Sequence, residues 1–293
     1  MFWQTSRFSI DLSQPKVMGI VNVTPDSFSD GGRWMTLGDA MGRCEQLLAD
    51  GADILDLGAE STRPGAPSVS VMDELTRLLP VLREAIKLGV PVSVDTYKPE
   101  VMRAALDEGA DIINDIWAFR QPATAVCHSA KEIVAAHPLC GLCVMHMHRD
   151  PQTMQVNPMS GDVVSSVIDF LKHSSNHLQA LGIQKDRILL DPGIGFGKTP
   201  QQNLQLLARQ NELLDAGHGV LVGWSRKSTL GVVLGDGGGG GAATHVMQSR
   251  LVPSVTAALL AVQKGARVLR VHDVTETVQM LKVWHAVESA GIA

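Results

Sequence analysis

The sequence predicts an α/β fold, a TIM (β/α)8 barrel, formed by one domain over residues 1–293. Eight apolar segments, each long enough for one buried strand, alternate along the chain with eight longer segments whose apolar residues recur at helical spacing. Almost every apolar segment ends in a polar residue, as expected where the carboxyl ends of barrel strands form a site. An open, doubly wound sheet is the alternative arrangement.

The series of strands and helices begins at residues 17–22, which end in the amide of Asn22 and lead into a polar loop. Thr36 and Ser70 are placed to cap the next two helices, and Pro99 falls in the first turn of the third. The predicted strands are 17–22, 53–57, 91–95, 111–114, 142–146, 187–191, 219–223 and 267–272, and the later helices lie near 121–137, 161–182, 200–216, 246–264 and 274–290.

Glycines mark the ends of several predicted helices. Gly51, Gly109 and Gly265 each precede an alanine and a predicted strand, and each is expected to take the left-handed conformation that ends a helix. Residues 237–241 are five successive glycines, which supply no side chain, and we interpret them as a flexible connector.

Composition and charge exclude several classes of protein. A hydrophobic content of 45% allows a large core, and no apolar segment approaches the roughly 18 residues that cross a bilayer. A net charge of −5 gives no general attraction to nucleic acid or to an anionic membrane, so neither is an expected partner. Residues 1–7 lack the basic start and apolar core of a signal peptide, and we expect a cytoplasmic protein.

The cysteines fit core packing better than metal or redox chemistry. Cys140 and Cys143 have the spacing of a zinc or redox pair, but Cys44 and Cys127 do not form a second pair. Cys143 also falls within an apolar strand, where a thiol packs as a small hydrophobic group.

The first group of polar residues at predicted strand ends fits a flat ring. Asp95, Asn114, Asp191 and Lys227 combine hydrogen-bond acceptors with donors. A carboxylate can accept two parallel N–H bonds from an amidine-like edge, and a lysine can donate to a carbonyl or ring nitrogen. This set predicts a pocket for a nitrogen-rich heterocycle, with a structural ion-pair network as the alternative.

The second group is cationic and fits a polyphosphate. Arg63, Arg270 and His272 can bind phosphate oxygens, and Asn22 can supply an oxygen ligand to an accompanying magnesium ion. Arg270 and His272 lie two residues apart on one strand, so their side chains point the same way. Other polar residues at strand ends, or in the loops that follow, are Glu60, Asp115, His146, Ser225 and Arg226.

Two other motifs are rejected. Residues 193–199 resemble a P-loop, but Pro192 replaces its first glycine, and Lys198 replaces the third glycine of a dinucleotide motif. His146 and His148 could form half of a metal site, yet one strand-end and one loop histidine is the preferred interpretation.

With these residues placed, the chain resembles the dihydropteroate synthase family of pterin-binding enzymes. The resemblance covers residues 15–290, and its motifs occur in order with short gaps. They include Asn22-Val23-Thr24-Pro25-Asp26 and Glu60-Ser61-Thr62-Arg63, and the matching segments are 22–32, 60–65, 95–96, 113–115, 145–147, 191–198, 225–228 and 270–273.

The resemblance implies a transferase reaction. In this reaction 4-aminobenzoate displaces diphosphate from 6-hydroxymethyl-7,8-dihydropterin diphosphate, giving 7,8-dihydropteroate for folate biosynthesis. It also implies a homodimer that uses Mg2+ and is sensitive to sulfonamides, which mimic 4-aminobenzoate.

The resemblance also implies residue roles. Asn22 would bind magnesium; Asp95, Asn114, Asp191 and Lys227 would hold the pterin; Arg63, Arg270 and His272 would hold the diphosphate; Thr62, Pro64, Phe196 and Ser228 would surround 4-aminobenzoate, with Phe28 in the covering loop and Met145 and Gly223 as further substrate contacts. Loops 23–33 and 61–68 would close to exclude water. Ala59, Trp224 and Pro253 depart from the family's pattern without removing a reacting group.

Three alternatives stay open at this point. One is a pterin-binding methyltransferase that acts with a corrinoid protein, which would not need the cationic group around a diphosphate. The second is a catalytically silent pterin-binding paralogue. The third is an aldolase that forms a Schiff base through Lys227.

Overall fold

Eight parallel strands close into a barrel, in the order in which they follow one another along the chain. The computed structural model describes residues 1–24, 36–61, 66–150, 152–154, 156–235 and 250–291. The predicted TIM barrel is therefore confirmed, and the open sheet is wrong. The barrel strands are β3 (Lys16–Asn22), β4 (Ile54–Gly58), β5 (Val92–Asp95), β6 (Ile112–Asp115), β7 (Gly141–Met145), β8 (Ile188–Asp191), β9 (Gly219–Val222) and β10 (Ala266–Val271), preceded by a hairpin of β1 (Phe2–Gln4) and β2 (Ser9–Asp11).

Helices cover the outside of the barrel. They are α1 (Leu37–Ala49), α2 (Val71–Ala85), α3 (Pro99–Asp107), α4 (Ala130–Ala136), α5 (Val163–Ala180), α6 (Pro200–Ala208), α7 (Ser228–Val233), α8 (Leu251–Gln263) and α9 (Val274–Ala290), with short 3-10 turns at Ile86–Leu88, Lys185–Arg187 and Gln210–Ala216. Across the ranges described above, no helix combines the length and apolarity needed to cross a membrane.

The predicted helix boundaries hold where local chemistry fixes them. The Thr36 hydroxyl accepts the backbone N–H of Asp39, and Ser70 caps α2 in the same way. Gly51, Gly109 and Gly265 all have positive φ, between 91° and 101°, as predicted for residues that end a helix.

Other boundaries were predicted wrongly. The helix expected near 121–137 begins only at Ala130, because Ser129 and Glu132 form a capping box there. The helix expected near 200–216 ends at Ala208 and is followed by a 3-10 segment. The short α7 was not among the predicted helical segments, although the family resemblance places Ser228 at the start of a helix. Residues 237–241 lie outside the described part of the chain.

The lower interior of the barrel is an apolar layer of inward-facing side chains. Because side chains alternate along a strand, one residue from most strands points inward at each level. This layer contains Met18, Ile54, Ile112, Cys143, Leu189, Leu221 and Val268. Cys143 thus packs in the barrel core, and all four cysteines are buried free thiols. In the described ranges no group of three or more His, Cys, Asp or Glu residues could hold a metal ion.

The hairpin β1–β2, which was not predicted, closes the amino-terminal end of the barrel. Trp3 and Ile10 pack against the apolar layer. The indole Nε1 of Trp3 donates a hydrogen bond of 3.0 Å to the carbonyl oxygen of Arg187, just before β8. The opposite end of the barrel is left for the polar residues at the strand ends.

Trp3→Ala is expected to lower the free energy of unfolding by about 3–5 kcal/mol, because it leaves a cavity beneath the apolar layer. Chemical denaturation followed by circular dichroism measures this. Phe2→Ala is the matched control, since Phe2 is 57% exposed whereas Trp3 is 0% exposed. Equal, small losses in both variants would contradict the packing of the hairpin.

Candidate active site

A cavity of about 550 Å³ opens at the carboxyl ends of the strands. Its polar lining lies one inward-facing position beyond the apolar layer: Asn114 follows Ile112, Asp191 follows Leu189, and Arg270 follows Val268 by two residues. The predicted site residues that line this cavity are Asn22, Asp95, Asn114, Met145, Asp191, Phe196, Gly223, Lys227, Ser228, Arg270 and His272.

The other predicted site residues cannot be placed. Phe28, Thr62, Arg63 and Pro64 lie outside the described residues, so their roles stay predictions. Most of loop 23–33 and half of loop 61–68 also lie outside the described residues.

A buried ion-pair group forms the floor of the cavity. Arg270 donates from Nε to Asp56 Oδ2 and from Nη2 to Asp95 Oδ2, both at 2.6 Å. Burial raises the pKa of Asp95, while the nearby Arg270 opposes that rise. Arg270 was predicted among the residues that bind the polyphosphate. Here it contacts the carboxylate of Asp95, which was predicted among the residues that bind the flat ring. The two predicted sets of residues therefore meet at this guanidinium.

Asp56 is a fully buried residue beneath the cavity lining that the sequence analysis missed. It stands in the middle of β4 between Leu55 and Leu57, where the segment looks like an ordinary buried strand. The signal was available, because a single charge inside an apolar strand needs a partner.

Asp191 is oriented by the turn that follows β8. Its Oδ1 accepts the backbone N–H of Gly193 at 2.7 Å, and burial raises its pKa. Gly193 has a φ of 67°, and a Cβ there would lie 1.9 Å from the carbonyl oxygen of His146. Only glycine fits this close approach, so the turn explains one glycine of the motif that resembled a P-loop.

A second residue of that motif, Lys198, also has a structural role. Its amine is buried and donates to the carbonyl oxygens of Gly193, Phe196 and His146 at 2.8, 3.1 and 3.3 Å. Burial lowers its pKa to about 7. Lys198 therefore braces the 193–198 loop from inside and does not line the cavity.

Lys227 and Phe196 face each other across the entrance. The Nζ of Lys227 lies 4.5 Å from the centroid of the Phe196 ring, a cation–π distance. Ser228 is the first residue of α7, as predicted. Both sides of this entrance are thus fixed, one by the braced loop and the other by the start of a helix.

His272 is held by neighbours for which the sequence assigned no role. Its Nδ1 lies 3.0 Å from the Ser225 hydroxyl. Arg226 has a positive φ of 60° and forms an ion pair with Asp273, with 2.5 Å between Nη2 and Oδ1. Ser225, Arg226 and Arg250 also line the cavity.

Two polar residues from the strand ends face away from the cavity. His146 is buried edge-on against Phe170, at 4.9 Å between ring centroids, and burial lowers its pKa to about 2. Asp115 accepts the backbone N–H groups of Trp117 and Phe119 at 2.7 and 2.6 Å, so it shapes the next loop.

One wall of the cavity is apolar. Ile116, Met145 and Met154 line it and belong to one cluster, against which Phe196 packs. Ile116 could have been found from the alternation beyond Asn114. Met154 could not, because it comes from a loop.

Hydrogen bonds and ion pairs join the residues on either side of loop 61–68. Glu60 accepts the backbone N–H of Val69 at 3.3 Å and the Tyr97 hydroxyl at 3.1 Å. Lys98 pairs with Glu60, with Glu74 at 2.6 Å, and with the carbonyl oxygen of Val69 at 2.6 Å. Glu60 is therefore occupied by structural bonds although it borders the cavity.

The fold and this site define a class of protein: a barrel enzyme that offers carboxylates, an amide and a lysine to a flat, nitrogen-rich ring. A family model described as "Pterin binding enzyme" matches residues 18–272. The dihydropteroate synthase of Neisseria meningitidis serogroup B is 46% identical over 97% of this chain and 96% of its own length. The chain belongs to the dihydropteroate synthase family and is an enzyme, a transferase.

Solved structures of dihydropteroate synthases agree with this family membership. The Burkholderia cenocepacia dihydropteroate synthase, crystallised with 7,8-dihydropteroate, has a TM-score of 0.85 and 45% identity, with 99% of this chain and 97% of that chain covered. The Yersinia pestis enzyme in a sulfonamide drug complex has a TM-score of 0.88 and 40% identity, with 99% and 100% covered.

Lys198→Met is expected to lower the free energy of unfolding by about 1–3 kcal/mol, because buried carbonyl oxygens lose their donor. It should also lower kcat/KM, since Phe196 loses its brace. Denaturation curves and steady-state kinetics measure the two effects. Lys282→Met, on the exposed face of α9, is the control. Unchanged values for both variants would contradict a bracing role for Lys198.

Proposed function

We propose that this chain condenses 6-hydroxymethyl-7,8-dihydropterin diphosphate with 4-aminobenzoate, giving 7,8-dihydropteroate and diphosphate in folate biosynthesis. The observation that carries the proposal is that Asp95, Asn114, Asp191 and Lys227 line one cavity, together with Arg270. Family membership and the dihydropteroate complex of the Burkholderia relative support it.

The pterin ring lies on the cavity floor. Asp95 and Asp191 are buried acceptors for its N–H groups, and Asn114 can both donate and accept. Lys227 donates to its carbonyl or to a ring nitrogen. The apolar wall with Ile116 contacts the ring's face, since flat heterocycles bind best where polar edges are paired and faces are covered.

The diphosphate lies beside the ring, next to the cavity-facing end of Arg270 and to His272, with Arg63 as a further partner. Asn22 ends β3 at the cavity rim and fits magnesium as a single neutral oxygen ligand. The described ranges hold no group of three or more acidic, histidine or cysteine residues that could bind a metal, so magnesium would be held by Asn22 together with phosphate oxygens of the substrate. When bound, Mg2+ neutralises charge that develops on the departing diphosphate.

The second substrate occupies the entrance. Phe196 offers a ring face, and Ser228 stands where α7 begins. Thr62, Pro64 and Phe28 complete this subsite as predictions from family resemblance. Because sulfonamides mimic 4-aminobenzoate, we propose that they inhibit this chain, as the sulfonamide complex of the Yersinia relative suggests.

The chain's residues favour cleavage before attack. Breaking the bond between methylene and diphosphate leaves positive charge that the pterin ring shares, and the buried carboxylates of Asp95 and Asp191 stabilise it. Arg270 and His272 stabilise the leaving anion. The arylamine is neutral near pH 7, so no strong base is required. From the family resemblance, loops 23–33 and 61–68 are expected to exclude water from the cation.

We further propose a cytoplasmic homodimer in which residues 1–293 form one domain. Helices α8 and α9 pack together and leave Val252, Leu260, Val283 and Val287 exposed, an apolar face that a second copy would cover. The four buried thiols suit a reducing compartment.

Purified protein is expected to release diphosphate only when magnesium and 4-aminobenzoate are both present. A coupled diphosphate assay, with and without the arylamine, measures this. Release of diphosphate that does not depend on 4-aminobenzoate would contradict the proposal and point to a hydrolase. Absence of release under all conditions would favour a catalytically silent paralogue.

Asp191→Asn is expected to lower kcat/KM at least 10- to 100-fold, because a charge-assisted bond worth about 1.5–3 kcal/mol is lost and an amide donor meets a ring N–H. Steady-state kinetics with both substrates measures this. Asp186→Asn, an exposed residue before β8, is the matched control and should retain full activity. Near-normal turnover by Asp191→Asn would show that the ring binds elsewhere.

A further inference from the structure

Asp56 and Asp95 differ from Asp115 and Asp191 in what their carboxylates bind, because both accept the side chain of Arg270. Asp115 and Asp191 accept backbone N–H groups and so shape turns. Asp56 is fully buried, and its bonded oxygen, Oδ2, accepts the side chain of Arg270. Its Oδ1 has no hydrogen-bond partner in the described part of the chain. A buried charge with this single contact acts on the arginine rather than on the backbone.

The geometry at Arg270 shows what that contact does. Nε and Nη2 lie on one edge of the planar guanidinium, and this edge takes Asp56 and Asp95, both at 2.6 Å. Neither bond uses Nη1. The side chain of Arg270 is 22% exposed, and the residue lines the cavity. The remaining N–H donors therefore belong to the end of the guanidinium that faces the cavity.

Asp56 fixes the inner part of this arrangement. Its bond goes to Nε, the nitrogen closest to the arginine stem, so it limits rotation of the whole group. Asp95 holds the outer nitrogen Nη2, but Asp95 is also the residue proposed to bind the pterin. An arginine anchored at Nε can keep its direction even when Asp95 turns to a ligand.

We propose that Asp56 is a positioning residue, which anchors Arg270 at Nε so that the opposite end of the guanidinium is aimed at the diphosphate of the substrate. This inference rests on the proposed function and extends it to a residue outside the cavity lining. Through Arg270, Asp56 then affects binding of the diphosphate part of the substrate and not binding of the pterin ring.

Asp56→Asn tests the proposal, because it keeps the shape of the side chain and removes its charge. Binding of two probes is measured by calorimetry: inorganic diphosphate with magnesium, and 6-hydroxymethyl-7,8-dihydropterin, which lacks the diphosphate. Diphosphate binding is expected to weaken roughly 10-fold or more, as for loss of a charge-assisted hydrogen bond. Binding of 6-hydroxymethyl-7,8-dihydropterin is expected to weaken less than about 3-fold. KM for the dihydropterin diphosphate should rise with diphosphate Kd.

Ser93→Ala is the matched control. Ser93 is the ladder neighbour of Asp56 on β5, is equally buried, and its hydroxyl has no partner in the described ranges. It should leave both Kd values unchanged. Circular dichroism verifies folding, and Asp56→Ser replaces Asp56→Asn if the latter does not fold.

A double-mutant cycle shows whether Asp56 acts through the arginine. In an Arg270→Met background, Asp56→Asn should change diphosphate binding less than about 3-fold. Unchanged diphosphate binding in the single variant, equal weakening of both probes, or full additivity in the cycle would overturn the proposal. If the wild-type chain makes no dihydropteroate, the proposed function fails instead, so the two failures are distinguishable.

Discussion

The alternation of side chains along closed parallel strands is the constraint on which this molecule depends. Most strands that give an apolar residue to the lower interior present their next inward position at the cavity, as Leu189 and Asp191 do on β8. Strand β4 is an exception, because Asp56 follows Ile54 but lies outside the cavity lining. Closure of the barrel turns this local rule into a ring. Side chains from residue 22 to residue 272 meet for that reason, although no local sequence feature connects them.

The same rule explains how much the sequence could predict. Asn22, Asn114 and Asp191 were found because each ends an apolar segment and therefore faces the mouth. Asp56 was missed because it lies in the middle of such a segment, and only polar residues at segment ends were expected to reach the site. Met154 and the contacts of Lys198 depend on loop geometry, which is set by distant packing. The hairpin β1–β2 was missed because each of its strands has three residues and almost no periodicity.

Charges inside the barrel are tolerated because each has a specific task. Burial of an ion costs several kcal/mol unless partners replace water. Asp115 accepts hydrogen bonds from two backbone N–H groups, and the amine of Lys198 donates hydrogen bonds to three carbonyl oxygens. Glu60 and Glu74 share Lys98. These groups hold the loops that border the cavity, so the rim is shaped by polar contacts that do not themselves touch the cavity's centre.

The described residues at the site carry no excess of positive charge, and this bears on how an anion binds. Asp56, Asp95 and Asp191 stand against Lys227, Arg250 and Arg270. Arg226 is paired with Asp273, and Glu60 shares Lys98 with Glu74. The whole chain carries −5. Neither the protein nor its described site therefore attracts a diphosphate by net potential. Affinity for a diphosphate must come from directed donors such as the cavity-facing end of Arg270. A site built in this way needs its arginine aimed more than it needs additional charge.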